Sequence, residues 1–171
     1  MGKITGMILI MAGCAGTLGY WYETKKKELS MMEECIRLFS HWQDALETEH
    51  MRLYDFLDTY PALTEEMPAM LKELKNMLEK NCYPTGRKAW DRVLEKNRKS
   101  LFLGEEAKQI LRNAGEAFFC ESSRESIRIS RVCTRRMEKI LVLKREELRR
   151  KCRVYLPAGM LLGVMIIILL L

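Results

Sequence analysis

The stretch VYLPAGMLLGVMIIILLL, residues 154–171, decides how the rest of the chain is read. Eleven of its 18 residues are Leu, Ile or Val, and none is charged. In helical form, at about 1.5 Å per residue, it reaches about 27 Å, close to the roughly 30 Å of bilayer hydrocarbon. Its branched aliphatic residues contribute about −3 to −7 kcal/mol toward insertion, reduced by Pro157, Gly159 and Gly163. The run Ile166 to Leu171 is apolar on every face, whereas a helix half-facing water carries a polar stripe. A membrane-spanning helix over 154–171 is expected.

The other end mirrors it more weakly. Residues 4–22 also lack charge, but Gly6, Gly13, Gly16, Gly19, Ala12 and Ala15 dilute Ile4, Ile8, Leu9, Ile10 and Leu18. In lipid, small residues at helical spacing let a second helix approach closely. Gly13 with Gly16, and Gly159 with Gly163, are therefore expected helix-packing positions. Tyr20, Trp21 and Tyr22 suit one membrane interface and Tyr155 another. Three readings of this end compete: a retained span over 4–22, a cleaved signal peptide, and a lipid anchor at Cys14, where Ala12-Gly13-Cys14 resembles a bacterial lipoprotein box. The retained span is favoured, because the apolar stretch continues past Cys14 to Tyr22.

Cations set the orientation. Lys25, Lys26 and Lys27 follow the first stretch, and Arg149, Arg150, Lys151 and Arg153 precede the second. Positive charge beside spans stays in the cytoplasm. The expected layout is a hairpin with a cytosolic domain of residues 24–153 and both termini outside. The bulk composition agrees with a folded middle: 48% apolar and 30% charged residues exclude a disordered polyelectrolyte.

That middle reads as helix throughout. Leu29, Ile36 and Leu57 share one seven-residue register, and Met32, Phe39, Leu46 and Leu53 the companion, with Gln43 and His50 interrupting. A helix over 26–58 follows, either as one wall of a bundle or as a coiled coil between subunits of a homo-oligomer. Pro61 ends it. A second helix begins after Thr64, with Met67, Met70, Leu71, Leu74 and Leu78 inward. A short third helix has Ala89, Trp90, Val93 and Leu94 inward. A fourth spans about Glu105 to Phe119 and holds Gly115, which predicts a close helix crossing. A fifth runs from about Ser122 to Arg153, with Ile129, Cys133, Met137, Ile140, Leu141 and Leu148 inward. The fold class is all-α: two transmembrane helices flanking a cytosolic bundle of four to five helices.

Catalytic chemistry has no foothold. Cys14, Cys35, Cys82, Cys120, Cys133 and Cys152 contain no Cys-x-x-Cys pair and read as small apolar residues. Glu47 with His50 matches half of a di-iron helix motif, and no second Glu-x-x-His exists. Phosphate loops, dinucleotide fingerprints and nucleophile elbows are all missing. No enzyme activity, metal or cofactor is expected. Charge is uneven instead: residues 124–153 carry a net +8 and residues 1–123 a net −2. The basic helix suits anionic membrane lipid or an acidic partner rather than nucleic acid, for which no reading motif accompanies the charge. Arg128, Arg131, Arg135 and Arg136 are the expected partner-binding residues.

This layout resembles the stage III sporulation protein AB family of endospore-forming bacteria, over nearly the whole length. The resemblance rests on the Gly-rich first stretch, Ala89-Trp90, Leu111 to Gly115-Glu116, and Gly159 with Gly163 opening a terminal Leu/Ile stretch. Two departures stand out. Met51-Arg52-Leu53 replaces the family's Thr-Pro-Leu turn, and Phe118-Phe119 and Ser122 replace a Leu-Gly and acidic residue. The resemblance implies a cytosolic domain similar to that of platform proteins in type II secretion and type IV pilus machines. It further implies a non-enzymatic platform subunit of a trans-envelope channel complex, in the mother-cell membrane around the forespore. The implied partners are the other stage III sporulation A proteins, including a secretion-type ATPase. A generic membrane-tethered adaptor is the alternative.

Overall fold

The structure is a computed structural model. It describes the backbone of residues 2–49 and 51–170, with side chains described for most of residues 16–154 and only scattered ones nearer the two ends. Among the described residues six α-helices follow one another: α1 (Gly2–Asp44), α2 (Leu53–Thr59), α3 (Glu66–Glu79), α4 (Gly86–Lys96), α5 (Glu105–Ala114) and α6 (Ser123–Leu170). A π-turn over Ala45–Glu49 follows α1, and a 3-10 turn over Gly115–Phe119 follows α5. Among the described residues there is no strand. The all-α expectation holds, with six helices in place of four or five. The chain divides into two compact units, Met1–Lys27 with Leu143–Leu171, and Glu28–Val142.

The extra helix comes from a correction at 26–58. The helix expected to run unbroken over 26–58 stops at Asp44, widens into the π-turn, and restarts at Leu53 behind Arg52, which is extended (φ −77°, ψ 150°). The amide of Met51 reaches back to the carbonyl of Ala45 at 3.3 Å. The break falls on Met51-Arg52-Leu53, and no proline imposes it. The seven-residue stripe still reads correctly as a buried face, because Met32, Phe39 and Leu46 lie in the chain's own core beside Met31, Cys35, Leu38 and Trp42. It is a bundle wall.

The other inward residues fall where periodicity puts them. Met67, Met70, Leu71 and Leu74 of α3, and Ala89, Trp90, Val93 and Leu94 of α4, are buried. Local chemistry sets the ends. Thr85 caps α4 by accepting the Lys88 amide at 3.4 Å. Asn81, at φ 47°, closes α3: its amide donates to Leu78 and that of Cys82 to Met77, the paired bonds of a left-handed helix stop. Thr64 does not cap α3; its hydroxyl is buried and unpartnered. The buried carboxylate of Glu34 holds the segment before α3 against α1. It accepts from the Tyr60 hydroxyl at 2.9 Å and from the Leu63 amide at 3.2 Å. Burial raises the Tyr60 phenol well above its usual range, and the bond to Glu34 adds to the shift.

The core closes around one aromatic hub. Phe118, on the 3-10 turn, lies 5.2 Å from Phe39, 5.5 Å from Trp42, 5.4 Å from Trp90 and 6.3 Å from Phe56, ring centre to ring centre. Trp90 is fully buried and donates its indole N–H to the Leu111 carbonyl at 3.2 Å. It reaches that position because Gly115 has no side chain: a Cβ there would sit 2.1 Å from the indole. The close crossing expected at Gly115 is therefore present. Gly115→Ala in the full chain is expected to lower stability by about 3 kcal/mol and the melting temperature by roughly 10 °C, since neither indole nor backbone can retreat cheaply. An unchanged melt would show that the indole has another seat.

Along α6, Ser130 and Thr134 are buried, yet their hydroxyls have no hydrogen-bond partner. An unsatisfied buried hydroxyl costs about 1–3 kcal/mol. Ser130→Ala is expected to raise stability by about 1 kcal/mol in thermal or denaturant unfolding. A destabilised variant would contradict this account of the site.

Candidate docking face on the last helix

Helix α6 is seated by polar bonds near its start. The Ser126 amide donates to the Ser122 carbonyl at 3.0 Å. The Ser126 hydroxyl donates to the Ala117 carbonyl at 2.5 Å and accepts the Trp42 indole N–H at 3.0 Å. These bonds tie α6 to the end of α5 and to α1 at once. One turn on, Arg131 pairs with Glu47 of the π-turn at 3.2 Å. With these points fixed, the rotation of α6 is fixed too. Cys133, Met137, Ile140 and Leu141 turn into the core. Burial pushes the Cys133 thiol up, against the pull of nearby Arg136.

The four arginines expected to meet a partner divide into two pairs. Arg128 forms two bonds to the Glu125 carboxylate, at 2.9 and 2.5 Å, which hold that carboxyl below its ordinary range. Arg131 is held by Glu47. Arg135 and Arg136 are exposed, and among the described residues neither has an ion pair or hydrogen bond. Sequence reasoning passed over Lys139, exposed on the same side, and Val132 and Val142, exposed by 44% and 52%. Val132, Arg135, Lys139 and Val142 stand at i, i+3, i+7 and i+10, one stripe of a helix. The signal was present in the sequence: two valines out of phase with the inward residues.

A concavity elsewhere is lined by charges that pair with one another. The depression between α4 and α5 is lined by Glu95, Arg98, Glu105, Lys108 and Arg112. Arg98 and Lys108 each pair with Glu105 at 3.1 Å, and Arg112 with Glu95 at 3.4 Å. No unpaired charge is left there for a ligand. In the unit formed by the two chain ends, Lys151 pairs with Glu147 at 2.6 Å and, with Lys144 and Lys25, keeps that carboxyl low. Arg149, Arg150 and Arg153 flank a shallow concavity with Glu146.

The remaining expected sites are placed as follows. Glu47 is engaged with Arg131, and His50 lies outside the described residues. Among the described residues no group of three His, Cys, Asp or Glu side chains converges as metal ligands would. A Cβ at Gly13 or Gly16 would meet nothing within 4 Å, so both face open space within this chain. The surroundings of Cys14, Gly159 and Gly163 lie outside the described residues. Among the described residues no helix is long and apolar enough to cross a membrane. Most side chains of the two stretches expected to do so, 4–22 and 154–171, lie outside the described residues.

Comparison with known proteins places this architecture. One solved structure, a stage III sporulation protein AB (SpoIIIAB), is similar at a TM-score of 0.51 and 12% identity, covering 74% of this chain and 94% of that one. That likeness concerns the fold. No curated protein matches the sequence. The sequence model of the family described as stage III sporulation protein AB matches residues 3–171, both apolar ends included. The chain belongs to the stage III sporulation protein AB family.

Proposed function

We propose that, within the sporulation role to which its family ties it, the chain is a non-enzymatic platform subunit of a trans-envelope, secretion-like channel complex between mother cell and forespore. Two spans, over 4–22 and 154–171, hold it in the mother-cell membrane around the forespore, and the helical bundle between them faces the cytosol. There it positions other stage III sporulation A proteins, a secretion-type ATPase among them. The observation that carries this reading is the family match across 3–171, which takes in both apolar ends together with the bundle. The cations support it: Lys25, Lys26 and Lys27 after one stretch, and Arg149, Arg150, Lys151 and Arg153 before the other, suit a cytosolic middle. Bringing partners together needs surface and anchoring, and a bundle with a tight aromatic core and a basic last helix supplies both.

A second reading, an adaptor touching anionic lipid, draws on one feature. Arg149, Arg150 and Arg153 are exposed and adjoin the apolar stretch in sequence, where each cation near an anionic surface is worth about 1 kcal/mol.

The test of the platform reading is fractionation and crosslinking in sporulating cells. The full chain is expected to stay with membranes through alkaline carbonate and high salt, and to crosslink to other stage III sporulation A proteins. Extraction by carbonate would overturn the anchoring. Membrane retention without any such crosslink would favour the lipid adaptor.

A further inference from the structure

Two kinds of cation occupy α6, and the structure separates them. Arg128 and Arg131 spend their charge inside the chain, on Glu125 and Glu47. Arg135, Arg136 and Lys139 have no such partner among the described residues. They are interleaved with Val132 and Val142, which are about half exposed although every fully inward position of this stretch is aliphatic, sulfur-bearing or hydroxylic. From the Glu28–Val142 unit, then, α6 shows solvent a stripe of valine, arginine, lysine and valine spaced three, four and three residues apart. That spacing is the seam along which a second helix lies.

We propose that Val132, Arg135, Lys139 and Val142, flanked by Arg136, form a docking seam for an acidic amphipathic helix of a partner protein. The inference rests on the reading of this chain as a platform subunit and names the surface that a partner meets. Complementarity dictates the occupant. Apolar residues about ten positions apart on the incoming helix, roughly 15 Å along its axis, cover the two valines. Glutamate or aspartate one turn away neutralises Arg135, Arg136 and Lys139. A second copy of this chain fits less well, because several acidic side chains on its outer helices are already engaged. Glu73 bonds Lys96 and Asn97, Glu95 bonds Arg112, Glu105 bonds Arg98 and Lys108, and Glu116 bonds Arg87. A lipid surface fits poorly too. It reads charge without regard to aliphatic spacing, and Arg149, Arg150 and Arg153, not these residues, adjoin the apolar stretch in sequence. Three helical turns cover less than the roughly 1,200 Å² of a stable interface. The contact is therefore transient and sensitive to salt.

The test uses the full chain in detergent and a labelled synthetic amphipathic helix of about 20 residues, with leucine at heptad spacing and glutamate beside it. Fluorescence anisotropy should show binding that weakens with salt. A peptide with lysine in place of glutamate should not bind. Arg135→Glu with Lys139→Glu should weaken binding at least about tenfold. Val132→Ser with Val142→Ser should weaken it severalfold, which purely coulombic attraction would not do. Arg128→Gln with Arg131→Gln should leave it within about twofold. Circular dichroism of each variant reports whether its helices remain folded. No binding by the parent chain, or equal loss with the Arg128/Arg131 pair, overturns the seam. So does a valine pair without effect. If instead the Arg135/Lys139 variant loses only its attachment to anionic phosphatidylglycerol vesicles, the surface belongs to lipid. Carbonate-resistant membrane retention and crosslinking to sporulation partners are scored on the same variants. A seam that fails while those persist leaves the platform reading standing; loss of anchoring in the parent chain removes the platform reading itself.

Discussion

The crossing of Trp90 over Gly115 is the contact on which the bundle depends. A fully buried indole needs a flat bed and a partner for its N–H. Gly115 provides the bed and the Leu111 carbonyl the partner, both at the end of α5. Because the backbone tightens from α-helix to 3-10 helix at that point, Phe118 is swung inward to touch Phe39, Trp42, Phe56 and Trp90. A single turn thus gathers aromatic rings from α1, α2 and α4. The start of α6 is bound to the same place, since the Ser126 hydroxyl donates to Ala117. The rotation of the basic helix, and with it the choice of which cations face water, follows from this one crossing.

The polar bonds divide along the same logic. Two buried groups are satisfied by few, specific partners: Glu34 by Tyr60 and Leu63, Trp42 by Ser126 and Ala117. Surface groups form networks of short reach, such as Lys75 with Asp58 and Glu79. Exposed pairs of this kind contribute little to stability individually. Their larger effect is to neutralise part of the charge on the outer helices, while Arg135, Arg136 and Lys139 of α6 keep theirs.

How much of this was legible in the sequence depended on the range of the interactions involved. Inward positions of α3 and α4 follow from 3.6-residue periodicity, and Gly115 announced its crossing by its cost in a helix. The break after Asp44 was hidden, because neither proline nor glycine marks it and the seven-residue stripe runs straight across it. Helix propensity alone favours continuation there; the packing of Phe56 against Trp42 and Phe118 favours a change of direction. The division of the four arginines was hidden as well. Glu47 lies 84 residues from Arg131, so no local pattern pairs them. The aromatic hub was hidden too, because no local pattern shows Phe118 meeting rings from three other helices.

The π-turn after α1 has an evolutionary implication. A π-turn holds one more residue per turn than an α-helix, so it stores a residue of slack between α1 and α2. Removing one residue from the middle of α1 would rotate everything before the deletion by about 100° against the core. Loss of a residue within Ala45–Glu49 would only return the turn to ordinary helical winding. Length differences between relatives should therefore collect at this point, and the loop before α2 is where the fold tolerates being lengthened or shortened.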